Sequence, residues 1–335
     1  MREPAQSVVV ITTQKETAYS SNARSNGLGL VVLASALLVF ESVNAAEPAV
    51  PLEADTRDSK LTKIVLLAGE PSSKPGQHEY FADCVLMMNW LKQTPGLWPV
   101  LARTWPTNET IFDNAKCVVV LMDGGAKHPL LEEPRRKKLG DLAEQGIGLA
   151  VFHQAVDLPK EHAADAKAAL GGVWLADIGC RGHWDMDLKP CGGHPVLRGV
   201  KPFTAKGDGW LYNLHFADDA KFTPLLVGQV PDKSRTTADA KKHNGRDEVI
   251  GWVYERENGG RAFCFTGIDL HKNWEIESQR RFVVNGILWS AGVEVPKDEA
   301  KVEMRAGDLE RHVRKAENPN PKSQNPNKLQ APNFQ

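Results

Sequence analysis

The chain has 335 residues, with 41 Lys and Arg against 42 Asp and Glu, a net charge of −1 and 41% hydrophobic residues. Near-neutral charge with no long basic run gives no electrostatic footprint of the kind that nucleic acid or an anionic membrane surface requires. The length is sufficient to bury a sizeable core without disulfides. Taken in chain order, the first feature is an uncharged apolar run from Leu28 to Phe40, preceded by Arg24. It is too short to cross a bilayer as a helix and has the length of a signal-peptide core. Val43-Asn44-Ala45 and Asn44-Ala45-Ala46 both place small residues where cleavage requires them. Residues 1–46 are therefore expected to be an export signal, with a mature chain starting at Ala46 or Glu47 in the periplasm or outside the cell, and no stable membrane span after cleavage. The stretch ahead of Arg24 is long for such a signal, so an uncleaved, membrane-retained form stays open.

From Lys63 onward, strand-like apolar runs alternate with helical patterns, which is the arrangement of βαβ units and a parallel sheet. Strands are expected at 64–68, 98–102, 117–122, 148–152, 225–227, 248–254 and 261–266, and helices at 81–92, 134–144, 161–170 and 278–291. Gly171-Gly172 closes the third helix. The stretch 173–230, rich in Gly, Trp, His and Asp, loses the regular pattern, and 231–247 reads as a polar surface loop. The fold class is α/β, an open and mostly parallel sheet with helices on both faces, in one domain over 60–296 with irregular insertions. Residues 297–335 shift to charge and then to Asn, Pro, Gln and Lys, the composition of a largely disordered tail. Cys84, Cys117 and Cys264 fall in apolar patterns and are expected in the core, whereas Cys180 and Cys191 flank a loop and could pair in an oxidising compartment.

Ligands of open α/β sheets bind outside the carboxyl ends of the strands, so the residues just after each strand carry the functional expectation. These are Gln77-His78-Glu79-Tyr80, Asp123-Gly124-Gly125 with His128, His153-Gln154, and Thr266 through Asp269, His271, Asn273 and Trp274. One histidine in such a place is more often a hydrogen-bonded loop residue than a functional one, but here each of the four segments contributes one. With His183 and His194 from the irregular stretch, and Asp123, Asp208 and Asp269 as carboxylates, they form a His-rich mouth. Such a set suits acid–base work or a divalent metal such as zinc, with His153, His183 and His271 as the candidate ligands. No spacing of the H-E-x-x-H kind decides between the two. Trp174, Trp184, Trp210 and Trp274 lie in polar, loop-like surroundings, where aromatic rings suit the apolar faces of sugars; Asp208 through Tyr212 and Asn213 mix acid, rings and amide densely. The combined expectation is one polar pocket surrounded by the four strand-end histidines and His183, with Trp210 and Trp274 on its rim.

At these residues the chain resembles the trehalose-utilisation, or ThuA-like, family. The matching pieces are Gly76-Gln77-His78-Glu79, Asp123-Gly124-Gly125 with His128-Pro129, His153-Gln154-Ala155-Val156, His183-Trp184, Gly192-Gly193-His194-Pro195, Asp208 through Asn213, and Thr266-Gly267 with His271 and Asn273-Trp274. The resemblance implies a fold like that of class I glutamine amidotransferases and a role in carbohydrate catabolism on a disaccharide or its 3-keto derivative, by a hydrolase or lyase reaction. It implies catalytic roles for His153, His271, Asp269 and Asp208. Substrate contacts would come from His78, Glu79, Asp123, Gly124, Gly125, His128, Gln154, Trp184, Trp210, Tyr212, Asn213, Thr266, Asn273 and Trp274. Two positions depart from the family pattern: Gly209 stands where relatives commonly carry a second acid, and Asp269 where many carry a histidine. The turn after the central strand reads Val151-Phe152-His153-Gln154-Ala155, with His where an amidotransferase presents its nucleophilic Cys, so Cys-dependent glutamine hydrolysis is not expected. The alternatives are a non-catalytic carbohydrate-binding protein presenting Trp184, Trp210 and Trp274, and a structural scaffold whose histidines form only a hydrogen-bonded plug.

Overall fold

The computed structural model describes residues 49–219 and 221–315, so the expected export signal at 1–46 lies outside the described residues. The first strand shows how the sheet is specified. In β1 (Thr62–Ala68), Ile64, Leu66 and Ala68 enter one hydrophobic cluster while Val65 and Leu67 enter another. Side chains of period two, apolar on both faces, dictate a central strand covered from both sides.

The chain continues through α1 (Tyr80–Leu91), β2 (Leu97–Arg103), β3 (Ala115–Leu121), α2 (Glu133–Glu144), β4 (Gly148–Phe152) and α3 (Ala163–Leu170). After a short β5 (Gly172–Val173) come β6 (Cys180–Pro190), β7 (Phe203–Tyr212), β8 (His215–Phe216), β9 (Phe222–Gln229), α4 (Ala238–Lys241), β10 (Asp247–Glu255), β11 (Arg261–Phe265) and α5 (Glu277–Ser290). Nine strands form one sheet in the order β2-β1-β3-β4-β11-β10-β9-β6-β7, while β5 and β8 pair separately. The first five strands run parallel, and β10, β9, β6 and β7 extend the sheet in antiparallel pairs. Helices α1 and α5 pack their Trp90, Met87, Phe282 and Ile287 on one face; Leu142, Ala143 and Leu170 of α2 and α3 contribute to the other.

The parallel half follows the sequence reading closely. The stretch 173–230 does not: it contains the long β6–β7 hairpin. Cys180, Met186 and Leu188 of β6 are buried between exposed or half-exposed neighbours. One-sided burial with glycine and charge between the apolar positions weakened the strand signal. The polar segment 231–247 is anchored rather than loose, because Arg235 is buried and ion-paired with the buried Glu248. Cys180 and Cys191 are both free thiols, so the pairing considered from the sequence is not formed.

The expected tail also needs correction over 297–315. Ala300 and Val302 are buried in the α1–α5 cluster, and Gln93 at the end of α1 exchanges two hydrogen bonds of 2.9 Å with the backbone of Glu303. Composition signalled disorder there, but a few apolar residues at a strap's contact points suffice to hold it. Residues 316–335 lie outside the described residues.

Candidate active site

Loops leaving the carboxyl ends of β1, β3, β4 and β11 meet above the sheet. His153 follows β4 directly and has a φ of 51°, a left-handed conformation rare outside glycine. The turn after β3 lies close against it: a Cβ on Gly124 would stand 2.0 Å from the Gln154 carbonyl oxygen, so only glycine allows this approach. Beyond β11, the buried Asp208 carboxylate of β7 accepts the backbone N–H groups of Ile268 at 3.1 Å and Leu270 at 2.9 Å. That contact shapes the turn that presents Asp269.

Three buried side chains converge there. His78 Nε2 lies 2.8 Å from Asp269 Oδ1 and 3.2 Å from His153 Nε2, and His153 Nε2 lies 3.6 Å from Asp269 Oδ1. The remaining atoms of all three are oriented by neighbours. His153 Nδ1–H donates to the Thr266 carbonyl at 3.0 Å, which leaves Nε2 with its lone pair toward the cluster. Ser72 Oγ donates to Asp123 Oδ1 at 2.8 Å and accepts from His78 Nδ1 at 2.6 Å; Tyr80 OH donates to the same Asp123 oxygen at 2.6 Å. Asp269 Oδ2 accepts from Gln77 Nε2 at 3.1 Å and from His183 Nε2 at 3.0 Å. His183 comes from β6 with a side chain 59% exposed, so it is the member of the group that meets solvent. Opposite it in the ladder is Gly209, where a Cβ would stand 2.8 Å from Asp269 Cγ and Oδ2. The missing second acid at 209 and the carboxylate at 269 are thus one steric fact: a side chain at 209 and Asp269 compete for the same space.

Electrostatics divides the two histidines. Burial pushes His153 down to about 4, aided by the neighbouring His78 charge, so its imidazole is neutral. Burial acts on His78 in the same direction, but hydrogen bonds and charges from Asp123 and Asp269 outweigh it and raise the group to about 9. Burial likewise opposes ionisation of Asp123, yet hydrogen bonds from His78, Tyr80 and Ser72 hold its carboxyl down at about 2. A pocket of about 390 Å³ opens beside His78, lined by Ser72, Thr104, Asp123, Gly124, Lys127 and Gln154 among others.

The remaining expected residues have other duties. His271 does not join the cluster: its Nδ1 contacts Asp83 Oδ1 at 2.6 Å and its Nε2 donates to the Leu309 carbonyl at 2.9 Å. It is therefore neither a ligand nor a pocket residue. Burial disfavours its cation, but Asp83 outweighs that and raises it. Asp208 is fully buried, raised to about 6 by burial, and acts on the backbone rather than facing the pocket. His128 caps the turn at 129–131 by accepting the Leu130 N–H at 3.2 Å, and burial lowers it to about 4. It borders a separate groove of about 890 Å³ under α2 and α3. Glu79 is turned away to Gly76 N–H and Arg314. Gly125 braces the turn by donating its N–H to the Asp157 carbonyl at 2.8 Å. Thr266 serves the cluster through its carbonyl, while Asn273 donates to the Lys206 carbonyl.

The tryptophans form no platform. Trp210 and Trp274 are buried, their indole N–H groups donating to the Trp184 carbonyl and to Asp83, and Trp184 is half-buried against Tyr212. Tyr212 donates to the Ser234 carbonyl and Asn213 to the Ile178 carbonyl, both away from the cluster. A glycan-presenting surface built on these rings is not available. Sequence reasoning passed over Ser72, Asp83 and Arg314, and used Gln77 and Tyr80 only as flanks of His78. Ser72 and Arg314 carried no local signal, being a loop serine and a charge in an apparently polar tail.

Comparison with known proteins agrees with the fold. The family model described as ThuA, trehalose utilisation, matches residues 101–290. A ThuA-like protein from Parabacteroides merdae superposes with a TM-score of 0.51 at 14% identity, covering 75% of this chain and 99% of that one. A ThuA-like protein from Bacteroides uniformis gives 0.50 at 14% identity, covering 72% and 95%. A glutamine amidotransferase from Thermotoga maritima gives 0.36 at 12% identity, covering 69% and 96%. No curated protein matches the sequence.

Proposed function

This chain belongs to the ThuA, or trehalose-utilisation, family, and from that premise we propose that it is an exported protein of carbohydrate catabolism acting on a disaccharide or its 3-keto derivative. The observation that carries the reading is the convergence of His78, His153 and Asp269 beside a hydroxyl- and carboxylate-lined pocket, with the exposed His183 at the edge of the group.

The donor set fits a divalent cation, which would displace the proton that Asp123 and Asp269 otherwise hold on His78. Two imidazole nitrogens and one carboxylate oxygen lie 2.8–3.6 Å apart. Each ring has its second nitrogen held by an oxygen acceptor, the arrangement that fixes metal-ligating histidines. The set of expected ligands therefore changes: His78 and Asp269 take the places assigned from the sequence to His271 and His183. Held by His78, His153 and Asp269, a cation would supply a Lewis acid for a sugar carbonyl or hydroxyl. The chain's own groups do the rest. His183, hydrogen-bonded to Asp269 and open to solvent, is placed to take or give a proton at its exposed ring edge. Asp123, Thr104, Lys127 and Gln154 supply hydrogen-bonding partners for sugar hydroxyls. No free cysteine lines this pocket, in keeping with chemistry that does not pass through a thiol.

The test is elemental analysis of tag-free protein purified without chelator, followed by turnover of 3-keto-trehalose and trehalose before and after EDTA treatment. Near-stoichiometric metal, with activity lost on chelation and restored by that metal, is the expected result. Metal-independent activity would replace the cation by acid–base work of His183 and His78. Absence of turnover and of any sugar-induced rise in melting temperature would overturn the reading.

A further inference from the structure

The loop that delivers His78 is bent against its own preferences. Ser73 and His78 both have left-handed backbones, with φ of 64° and 48°, and such conformations persist in non-glycine residues only where the surroundings enforce them. One side of the loop is tied to the Asp269 turn: His78 N–H donates to the Asp269 carbonyl at 3.1 Å, and His271 N–H to the Gly76 carbonyl at 3.0 Å. The other side is held by the C-terminal segment. The Arg314 guanidinium donates to the carbonyls of Gln77 at 2.7 Å, Ser72 at 3.0 Å, Ser73 at 3.1 Å and Lys74 at 3.3 Å. Its Nε lies 3.1 Å from the carboxylate of Glu79, which is only 2% exposed and also accepts Gly76 N–H.

Four carbonyl dipoles and a buried carboxylate therefore point at one planar cation. Without it the carbonyls of Ser72, Ser73 and Gln77 would lose this donor, Glu79 would keep only the Gly76 N–H and the Lys74 carbonyl only the Gln77 N–H, so the part-buried acceptors would favour a more open, hydrated loop. Guanidinium offers five donors in a rigid fork, whereas an ammonium offers three from a point. The residues held this way are those that orient the cluster: Ser72 bridges His78 to Asp123, and Gln77 holds Asp269. Both the loop and Arg314 lie outside the stretch 101–290 matched by the family model.

We infer that Arg314 is a positioning residue of the candidate centre: it clasps the 72–79 loop in the conformation in which His78, Ser72 and Gln77 reach their partners, so the C-terminal segment is a working part of the site. The inference deepens the reading above and rests on it where cation affinity is the readout. The full mature chain, with Arg314→Ala and Arg314→Lys variants, is stripped of metal, titrated with Co²⁺ by calorimetry and followed by backbone hydrogen exchange. Arg314→Ala should bind Co²⁺ about tenfold or more weakly, the size of effect produced by losing a group that orients the ligands. Its loss of amide protection should be confined to 72–79, and Arg314→Lys should fall between it and wild type. Wild-type Co²⁺ affinity in Arg314→Ala, or deprotection spread across the whole domain in both variants, would overturn the inference. Should the wild-type protein bind no Co²⁺, the cation reading fails by itself. The exchange pattern then decides for Arg314: protection lost only in 72–79 supports the clasp, and unchanged protection there overturns it.

Discussion

Two His–Asp pairs leave the same turn of the chain and come to opposite ends. Asp269 meets His78 and His153 beside a pocket; His271, two residues later, meets Asp83 inside the packing between α1 and the C-terminal strap. In the second pair both ring nitrogens are used, one by Asp83 and one by the Leu309 carbonyl, and Asp83 Oδ1 is shared with the Trp274 indole. In the first pair the His153 lone pair still faces its neighbours, and His183 is open to solvent on the far oxygen of Asp269. Residue type is the same in both. What separates a candidate centre from a structural plug is the convergence of several donor atoms on one point and a path to water.

The largest effect should come from exchanging the acids. Asp269→Asn removes the anionic donor, and keto-sugar turnover should fall on the order of 10³-fold with metal lost on purification, as assays with metal analysis would read. Asp83→Ala should do the reverse, keeping the metal content but lowering stability by about 3 kcal/mol in urea denaturation, the scale for breaking a buried pair. If instead Asp83→Ala abolishes cation binding and Asp269→Asn costs only stability, the roles assigned to the two pairs are inverted. A smaller change sharpens the geometry at the first pair. Gly209→Ala inserts a methyl 2.8 Å from the Asp269 carboxylate and should weaken Co²⁺ binding about tenfold, with a lowered thermal midpoint from the crowding.

The smallest effect concerns a histidine in neither pair. His128 is held at about 4 by burial, below its ordinary value near 6.5, so the native state binds fewer protons than the unfolded chain between those values. Its contribution is full above about 6.5 and is lost as pH falls toward 4. His128→Asn keeps an acceptor for the Leu130 N–H and removes one proton from that linkage. The fall in stability between pH 6.5 and 4.5 should be shallower in the variant by up to about 1.4 kcal/mol per pH unit, measured by urea midpoints; an identical slope would contradict the buried neutral state.

Much of this was legible in the residues themselves. The parallel strands and α1, α2 and α5 appear near their expected bounds, because burial on both faces leaves continuous apolar runs and one-sided helices leave a stripe. The edge hairpin β6–β7 was missed because its exposed side is filled with charge and glycine. Of the site, His78, His153, His183 and Asp269 were all in view; the strand-end rule brought His78, His153 and Asp269 to one edge, and His183 was added from the irregular stretch. His271 and His128 satisfied the same rule, and Asp208 was joined to them as a nearby carboxylate, but their partners lie far away in sequence: Asp83, Ala155, and the backbone of Ile268 and Leu270.

The sequence by itself determined the parallel strands, the helices between them and the edge on which polar residues gather, since periodicity and turn chemistry are local properties of a chain; the strand order came from the structure. Only the tertiary structure decided which of those polar side chains face a pocket, which are consumed as caps and braces, and that Arg314 reaches back to a loop more than two hundred residues before it. A hydrogen bond is worth making only where its partner stands, and that position is set by the packing of the whole domain.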